Sequence, residues 1–127
     1  MLYLKVKVMS ENEFNHVPDQ VESIHLIAIC GTGMGALAGM LKDLGYKVAG
    51  SDQNVYPPMS DFLAEKGITV SRGFKGANLD HRPDLVVVGN AVSRDNPEVV
   101  HMLQKKLFYC SMPQAINHFV AAGKKPI

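Results

Sequence analysis

Residues 23–52 place three closely spaced glycines between a short apolar run and a helical pattern. The apolar run, Ile24 to Ile29, has the length of a strand that is buried on both faces of a parallel sheet. The glycines follow immediately, at Gly31, Gly33 and Gly35. Because glycine has no Cβ, the chain can turn sharply here and another group can approach its backbone closely. The pattern predicts a strand, a tight turn and a helix.

The same stretch continues through the helix to a second strand and an acidic residue. Helical spacing of apolar residues extends to Leu44, and Gly45 lies where a left-handed residue commonly ends a helix. Lys47 to Gly50 predicts a second short strand, and Asp52 comes just beyond it. Together these segments predict a βαβ unit.

A βαβ unit with a glycine turn can bind a phosphate group. The amides of the first helical turn point at the anion, and an acid after the second strand commonly accepts a hydrogen bond from a ribose hydroxyl. The spacing Gly31-x-Gly33-x-x-Ala36 fits such a nucleotide-binding loop. The alternative is a turn whose glycines only allow the helix to pack closely on the strand. The predicted ligand contacts in this unit are Gly31, Thr32, Gly33, Met34, Gly35, Ser51 and Asp52.

The composition argues against several other kinds of function. The 127 residues are 46% hydrophobic, which suits one domain, and a net charge of +1 without a basic patch predicts no nucleic-acid partner. With no membrane-length apolar run and no signal-peptide pattern, the sequence predicts no membrane association and a cytoplasmic location. Cys30 and Cys110 are predicted to be free thiols. The five histidines lack metal-ligand spacing, so neither a metal site nor a catalytic residue is predicted.

The rest of the chain repeats the alternation of strands and helices. Predicted strands cover residues 68–71, 84–88 and 107–110, a short helical turn covers 77–79, and predicted helices begin near Ser60, Pro97 and Pro113. The predicted fold class is α/β, a Rossmann-like, doubly wound sheet of five parallel strands with helices on both faces.

A ligand of such a sheet binds beyond the carboxyl ends of the strands, where the strand order reverses. The loops 72–74 and 89–94 are predicted to meet the glycine loop there, which makes Gly73, Asn90 and Arg94 candidate contacts. An amide side chain both donates and accepts hydrogen bonds, and an arginine can pair with a phosphate or a carboxylate. The alternatives are a turn-forming asparagine and a solvated arginine.

Residues 1–22 do not follow the repeating α/β pattern. Apolar residues alternate with lysines from Leu2 to Val8, which predicts a strand, whereas Met9 to Gln20 is polar and predicts a loop. A strand of this kind can pair with the sheet edge of a neighbouring molecule, so this extension is a candidate for self-association.

Several segments taken together resemble one protein family. They are IHLIAICGTGMGALAGML, GSDQNVYPPMS, VVVGNAVSRDNPEV and YCSMPQAI. The chain from Ser23 to about Ile127 resembles the first domain of the Mur ligases, the ATP-dependent amide ligases of peptidoglycan synthesis. The last three segments are similar to the branch of that family that joins UDP-N-acetylmuramate to a recycled tripeptide, L-alanyl-γ-D-glutamyl-meso-diaminopimelate.

The resemblance implies a ligand and a set of partner domains. The first domain of these ligases binds the UDP part of UDP-N-acetylmuramate, with contacts implied here at Asn90, Ala91 and Val92. The second binds ATP and Mg²⁺ through a Gly-Lys-Thr loop, and the third holds the incoming amino acid or peptide. This sequence contains no Gly-Lys-Thr. The resemblance therefore implies that residues 23–123 form a UDP-sugar-binding domain without a cofactor of its own and inactive alone, and that residues 124–127 begin the linker to a missing ATP-binding domain.

Alternatives to this interpretation remain at the level of sequence. One is the corresponding domain of a UDP-N-acetylmuramate–L-alanine ligase, since the part of the family that selects the peptide is absent. Another is an NAD(P)-binding Rossmann domain, which the glycine loop and Asp52 fit without strain but the segments around Pro57-Pro58 and from Gly89 to Pro97 argue against. A non-binding structural module is disfavoured by the intact glycine loop.

Overall fold

The computed structural model describes residues 13–121, which form a five-stranded parallel sheet. The strands are β1 (Ser23–Ile27), β2 (Lys47–Asp52), β3 (Thr69–Arg72), β4 (Leu85–Val88) and β5 (Tyr109–Ser111). Their order across the sheet is β3-β2-β1-β4-β5. The predicted fold class, a doubly wound parallel α/β sheet, is confirmed.

The central strand β1 explains where a ligand can bind. Ile27 at its carboxyl end is in register with Ser51 of β2 and Val88 of β4. The chain leaves β1 toward β2 and β3 on one side, and then crosses back to β4 and β5 on the other. The strand order thus reverses beside β1, and the loops after β1, β2 and β4 meet at one end of the sheet.

Helices cover both faces of the sheet. They are α1 (Thr32–Asp43), α2 (Met59–Glu65), α3 (Pro97–Gln104) and α4 (Met112–Ala115), with a 3₁₀ turn at Gly76–Leu79 and π-helical turns at Ile116–Ala121 after α4. Within residues 13–121, no helix is both long enough and apolar enough to cross a bilayer.

Two apolar clusters fill the space between the sheet and its helices. The larger one packs α1, α2 and the C-terminal helical turns against Ile24 and Leu26, which point to one face of β1. The smaller one packs α3 and the 3₁₀ turn against Ile27 and Val86, on the opposite face. Strands buried on both faces account for the uninterrupted apolar runs of the sequence.

Some predicted boundaries differ from those of the structure. The second strand extends to Asp52, so this residue ends β2 instead of following it. The predicted cap at Ser60 is wrong, because α2 already begins at Met59 and has no side-chain cap. The sulfur of Met59 lies where a Cβ on Gly35 would be, so close packing against α1 sets the start of α2. Gly45 does end α1 in a left-handed conformation, with φ of 104°.

Part of the predicted N-terminal extension packs on the domain. The Phe14 carbonyl accepts a hydrogen bond from the Tyr109 amide of β5 at 2.8 Å, and its ring contacts Phe108 with centroids 5.1 Å apart. The Asp84 carboxylate accepts from the Glu22 and Ser23 amides. The strand predicted for residues 2–8 and the linker predicted for residues 124–127 lie outside the described residues.

We predict that Gly50→Ala destabilises the domain by about 2 kcal/mol or more, because it overpacks the sheet. A Cβ on Gly50 would lie 2.6 Å from both the Leu26 carbonyl oxygen and the Ile29 Cδ1. Urea unfolding followed by circular dichroism measures the loss. Gly31→Ala is the matched control, since its Cβ would meet nothing closer than the Ala28 carbonyl at 3.6 Å. That variant should lose less than about 1 kcal/mol; equal losses in the two variants would contradict the steric argument.

Candidate functional site

The turn between β1 and α1 is fixed by acceptors from β2. The amides of Ala28 and Ile29 both donate to the Ser51 carbonyl, at 2.8 and 3.0 Å. The Cys30 amide donates to the Asp52 carboxylate at 2.9 Å. Ala28 has φ of 72°, a left-handed conformation that costs a non-glycine residue about 1–2 kcal/mol. The turn therefore holds one strained conformation through three hydrogen bonds to the next strand.

Helix α1 begins directly after this turn with an open N-terminus. Gly31 is its N-cap residue, no side chain caps it, and its first turn contains no acidic residue. Four amides at a helix start have no partner within the helix, and together with the helix dipole they attract an anion. The first turn of α1, including Thr32 and Gly33, is thus available to a phosphate group.

The three loop glycines serve different purposes. A Cβ on Gly35 would overlap the Met59 side chain and lie 3.3 Å from the Ile29 carbonyl oxygen, so close packing favours glycine here. A Cβ on Gly33 would lie 3.1 Å from the Met112 sulfur at the end of a flexible side chain. Gly31 is exposed, has φ of −64°, and has room for a Cβ. The packing alternative therefore explains Gly35 but gives no reason for glycine at Gly31.

Asp52 lies beside the loop with its carboxylate already engaged. Its Oδ2 accepts from the Cys30 amide and its Oδ1 accepts from the Asn54 amide at 3.0 Å. Each carboxylate oxygen has more than one lone pair, so Asp52 can still accept from a ligand hydroxyl. Its first role in the structure is to hold the glycine loop.

A cavity of about 600 Å³, which we call the glycine-loop cavity, opens between the β1 and β2 ends and α2. One wall is polar and includes Gly31, Thr32 and Asp52. The other wall is apolar and includes Tyr56 and Phe62, both exposed. A cavity with amides and a carboxylate on one side and aromatic rings on the other suits a ribose and a flat base.

A second cavity of about 390 Å³, which we call the β4–β5 cavity, lies at the carboxyl ends of those two strands. Asn90, Arg94 and Gln114 contribute polar groups to it, above an apolar floor that includes Val99 and Met102. It provides both a cation and amide groups.

The structure places some of the predicted contacts in each of the two cavities and the others outside both. Gly31, Thr32 and Asp52 line the glycine-loop cavity, and Asn90, Val92 and Arg94 line the β4–β5 cavity. The remaining ones, Gly33, Met34, Gly35, Ser51, Gly73 and Ala91, line neither cavity. The Met34 side chain is packed in the larger apolar cluster. The Ser51 side chain is fully buried and donates to Glu98 at 2.7 Å, so it faces inward and not toward a ligand.

Glu98 is the residue of this region that the sequence analysis missed. It is fully buried at the start of α3, and its carboxylate accepts from Ser51, from His25 Nε2 at 3.0 Å and from two groups of the loop after β3. Burial by itself would raise the pKa of Glu98, but hydrogen bonds from His25, Ser51 and Asn78 outweigh it and hold the pKa below the ordinary value. Glu98 is therefore a carboxylate at neutral pH.

Neither cysteine has the character of a nucleophile. Burial, and then the Asp52 carboxylate, raise the pKa of the Cys30 thiol, and burial raises that of Cys110 to about 12. Both thiols stay protonated at neutral pH and are free, as predicted. Among residues 13–121, no three His, Cys, Asp or Glu side chains are grouped so that they could hold a metal ion.

The sheet order and the open helix N-terminus together define a doubly wound α/β domain with a glycine loop at the reversal of strand order. The sequence model of one family, described as "Mur ligase family, catalytic domain", matches residues 23–124. The chain belongs to the Mur ligase family.

Two kinds of Mur ligase are among the individual relatives that the chain resembles. The chain is 48% identical over 97 residues to the UDP-N-acetylmuramate–L-alanyl-γ-D-glutamyl-meso-2,6-diaminoheptandioate ligase of Escherichia coli K12, covering 76% of this chain and 21% of that protein. It is 42% identical over 103 residues to the UDP-N-acetylmuramate–L-alanine ligase of Lactobacillus johnsonii, covering 80% and 23%. A crystal structure of a murein peptide ligase from Psychrobacter arcticus matches with a TM-score of 0.77 and 46% identity, over 80% of this chain and 21% of that one. The chain thus spans about a fifth of the length of these relatives.

We predict that the Glu98 network makes the domain sensitive to acid. A folded-state pKa below the ordinary glutamate value of 4.5 contributes stability above pH 4.5, and that contribution is lost as the pH falls through the folded pKa. The difference in unfolding free energy between the wild type and Glu98→Gln should be largest at pH 7 and shrink below pH 4.5. Urea unfolding across this range measures it. Glu65→Gln, at an exposed glutamate outside the network, is the control; a difference for Glu98→Gln that stays constant with pH would rule the idea out.

Proposed function

We propose that the chain is the substrate-binding domain of an ATP-dependent ligase of peptidoglycan recycling and that it binds UDP-N-acetylmuramate. The diphosphate is bound by the first turn of α1, the uridine by the glycine-loop cavity, and the sugar extends toward the β4–β5 cavity. The observation that carries the proposal is Gly31, an exposed glycine at the helix start that neither backbone conformation nor packing requires. Close approach of a ligand to the backbone supplies the reason.

The two cavities favour a sugar nucleotide over a dinucleotide. Both kinds of ligand carry a diphosphate in the middle, so the glycine loop does not separate them. The glycine-loop cavity offers aromatic side chains, Tyr56 and Phe62, to one base. The β4–β5 cavity instead offers Arg94, Asn90 and Gln114, which suit the hydroxyl, amide and carboxylate groups of an acidic amino sugar better than a second base.

Within the family, we propose the tripeptide ligase and not the alanine ligase. The relative that joins UDP-N-acetylmuramate to the tripeptide shares 48% of aligned residues with this chain, against 42% for the alanine ligase relative. In either enzyme this domain would hold the same sugar nucleotide, and other domains would choose the amine.

The ligation itself needs groups that these 127 residues do not supply. Amide formation of this type uses ATP and Mg²⁺ to activate a carboxylate, and it needs a loop that holds the γ-phosphate. The sequence has no Gly-Lys-Thr. We therefore propose that ATP and Mg²⁺ are bound by other ligase domains of a full-length protein, and that the 127-residue chain binds substrate without turning it over.

We predict that UDP-N-acetylmuramate stabilises the chain and that NADH does not. A ligand at ten times its dissociation constant adds about 1.4 kcal/mol to the free energy of unfolding by mass action, which raises the melting temperature measurably. A thermal unfolding series with UDP-N-acetylmuramate, UDP and NADH tests this. Stabilisation by NADH alone would refute the proposal in favour of a dinucleotide-binding domain.

Gly31→Ala tests where the ligand binds in this series. Its Cβ fits the free protein. If the diphosphate lies against the Gly31 backbone, as proposed, the added Cβ would keep it away. The variant should fold like the wild type and lose most of the thermal shift. Thr69→Ala, an exposed substitution at the opposite end of the sheet, should keep the full shift. An undiminished shift in Gly31→Ala would place the ligand elsewhere.

We also predict that the chain releases no phosphate from ATP in the presence of Mg²⁺, UDP-N-acetylmuramate and the tripeptide. A coupled assay for inorganic phosphate measures this, with a full-length relative as the positive control. Turnover that requires both the sugar nucleotide and the tripeptide would show that the 127 residues contain an ATP site after all.

A further inference from the structure

The Glu98 carboxylate accepts hydrogen bonds from strands β1 and β2 and from the loop after β3. Its Oε1 accepts from Ser51 and His25, and its Oε2 accepts from the Lys75 amide at 3.1 Å and from Asn78 Nδ2 at 2.6 Å. A carboxylate only accepts hydrogen bonds, so His25 must carry its proton on Nε2. One fully buried charged group therefore satisfies four donors.

The Oε1 side leads to the glycine loop. Ser51, held by its hydroxyl on Glu98, presents its carbonyl to the amides of Ala28 and Ile29. These two bonds set the turn from which Gly31 and the start of α1 follow. Glu98 is thus linked to the proposed diphosphate position through the Ser51 side chain and the backbone of the β1–α1 turn.

The Oε2 side leads to the loop after β3. Glu98 fixes Lys75 and Asn78 there, and Asn78 in turn donates to the Gly73 carbonyl at 3.1 Å. The Gly73 amide donates back to the Asp52 carbonyl at 2.8 Å. Ser51 and Asp52, the last two residues of β2, are thereby both linked to the Glu98 carboxylate. Ser51 is linked directly, and Asp52 is linked through Gly73 and Asn78.

We propose that Glu98 is a positioning residue for the nucleotide site, one that sets the glycine loop and the 73–78 loop relative to each other without touching the ligand. This inference rests on the proposed function for its ligand. The carboxylate is not needed to cap the helix, since Asn96 already accepts from the Glu98 amide, and all four of its hydrogen bonds go to residues outside α3. The cost of burying a charge is offset by these bonds. One comes from His25 in β1, and the other three, from Ser51, Lys75 and Asn78, lead to the loops around the site.

Glu98→Gln tests the role with little change in volume. Glutamine replaces one acceptor oxygen by an amino group that donates. Whichever way the amide turns, it cannot accept on both sides, so either the Ser51 side or the Lys75 side loses its acceptor. The variant should weaken UDP-N-acetylmuramate binding about fivefold, within the range found for residues that act through a network. Isothermal titration calorimetry below the unfolding temperature of each variant measures it.

Leu107→Val is the matched control for stability. Leu107 belongs to the same apolar cluster as α3 but lies at the opposite end of the sheet. It should lose stability and keep the wild-type affinity. Equal affinity losses in Glu98→Gln and Leu107→Val, or no loss in Glu98→Gln, would overturn the positioning role.

Amide hydrogen exchange without ligand separates this inference from the proposed function. Glu98→Gln should accelerate exchange at Ala28, Ile29 or Lys75 relative to the rest of β1 and β4, and Leu107→Val should not. This result would support the coupling of the loops even if the wild type failed to bind UDP-N-acetylmuramate, in which case the proposed ligand alone is wrong. Unchanged exchange at all three amides would overturn the coupling whatever the ligand.

Discussion

Three hydrogen bonds from the β1–α1 turn to the end of β2 are the constraint on which the site depends. The Ser51 carbonyl and the Asp52 carboxylate take up the amides of residues 28, 29 and 30 in succession. Helix α1 then begins at Thr32 with no side-chain cap. A ligand would therefore meet an arrangement already formed, and binding would not have to order the loop first.

This arrangement is costly to the fold and is maintained by its surroundings. Ala28 is held in a left-handed conformation, and Glu98 is a fully buried charge at the start of α3. Local strain and buried charge of this kind persist only where neighbouring contacts determine them, and they are concentrated at functional sites. Here both lie on the one chain of contacts that sets the loop.

The periodicity of apolar residues predicted the strands and helices well, because the residues that determine each element lie close together in the sequence. Apolar runs located the strands, and Gly45 located the end of α1 with its positive φ. The start of α2 was misplaced because it depends on Met59 packing against Gly35, a contact between separate elements. The spacing of the glycines predicted a turn between β1 and α1, but it gave no sign that the Asp52 carboxylate, predicted as a ligand contact, also holds that turn through the Cys30 amide.

The role of Glu98 could not be predicted from the sequence because its contacts also join separate elements. Next to Pro97 it has the pattern of an ordinary acid in a first helical turn, and its partners lie 20 to 73 positions away in sequence. A signal was nonetheless present at the other end of the contact. His25 interrupts a strand that is otherwise apolar, and a polar side chain buried in a sheet needs a partner. Asking what acceptor could satisfy it would have pointed to one of the few acids that open a helix on the same face.

The glycines show how one motif divides between fold and function. Gly35 and Gly39 lie one helical turn apart on the face of α1 that meets Met59 and Phe62, so glycine at both positions lets these side chains pack closely on the helix. Gly31 lies on the exposed side and the fold tolerates a larger residue there. A spacing pattern in sequence cannot separate these cases, because each simply reads as glycine. The space around each missing Cβ separates them: it is tight at Gly35, whereas packing leaves glycine at Gly31 unexplained.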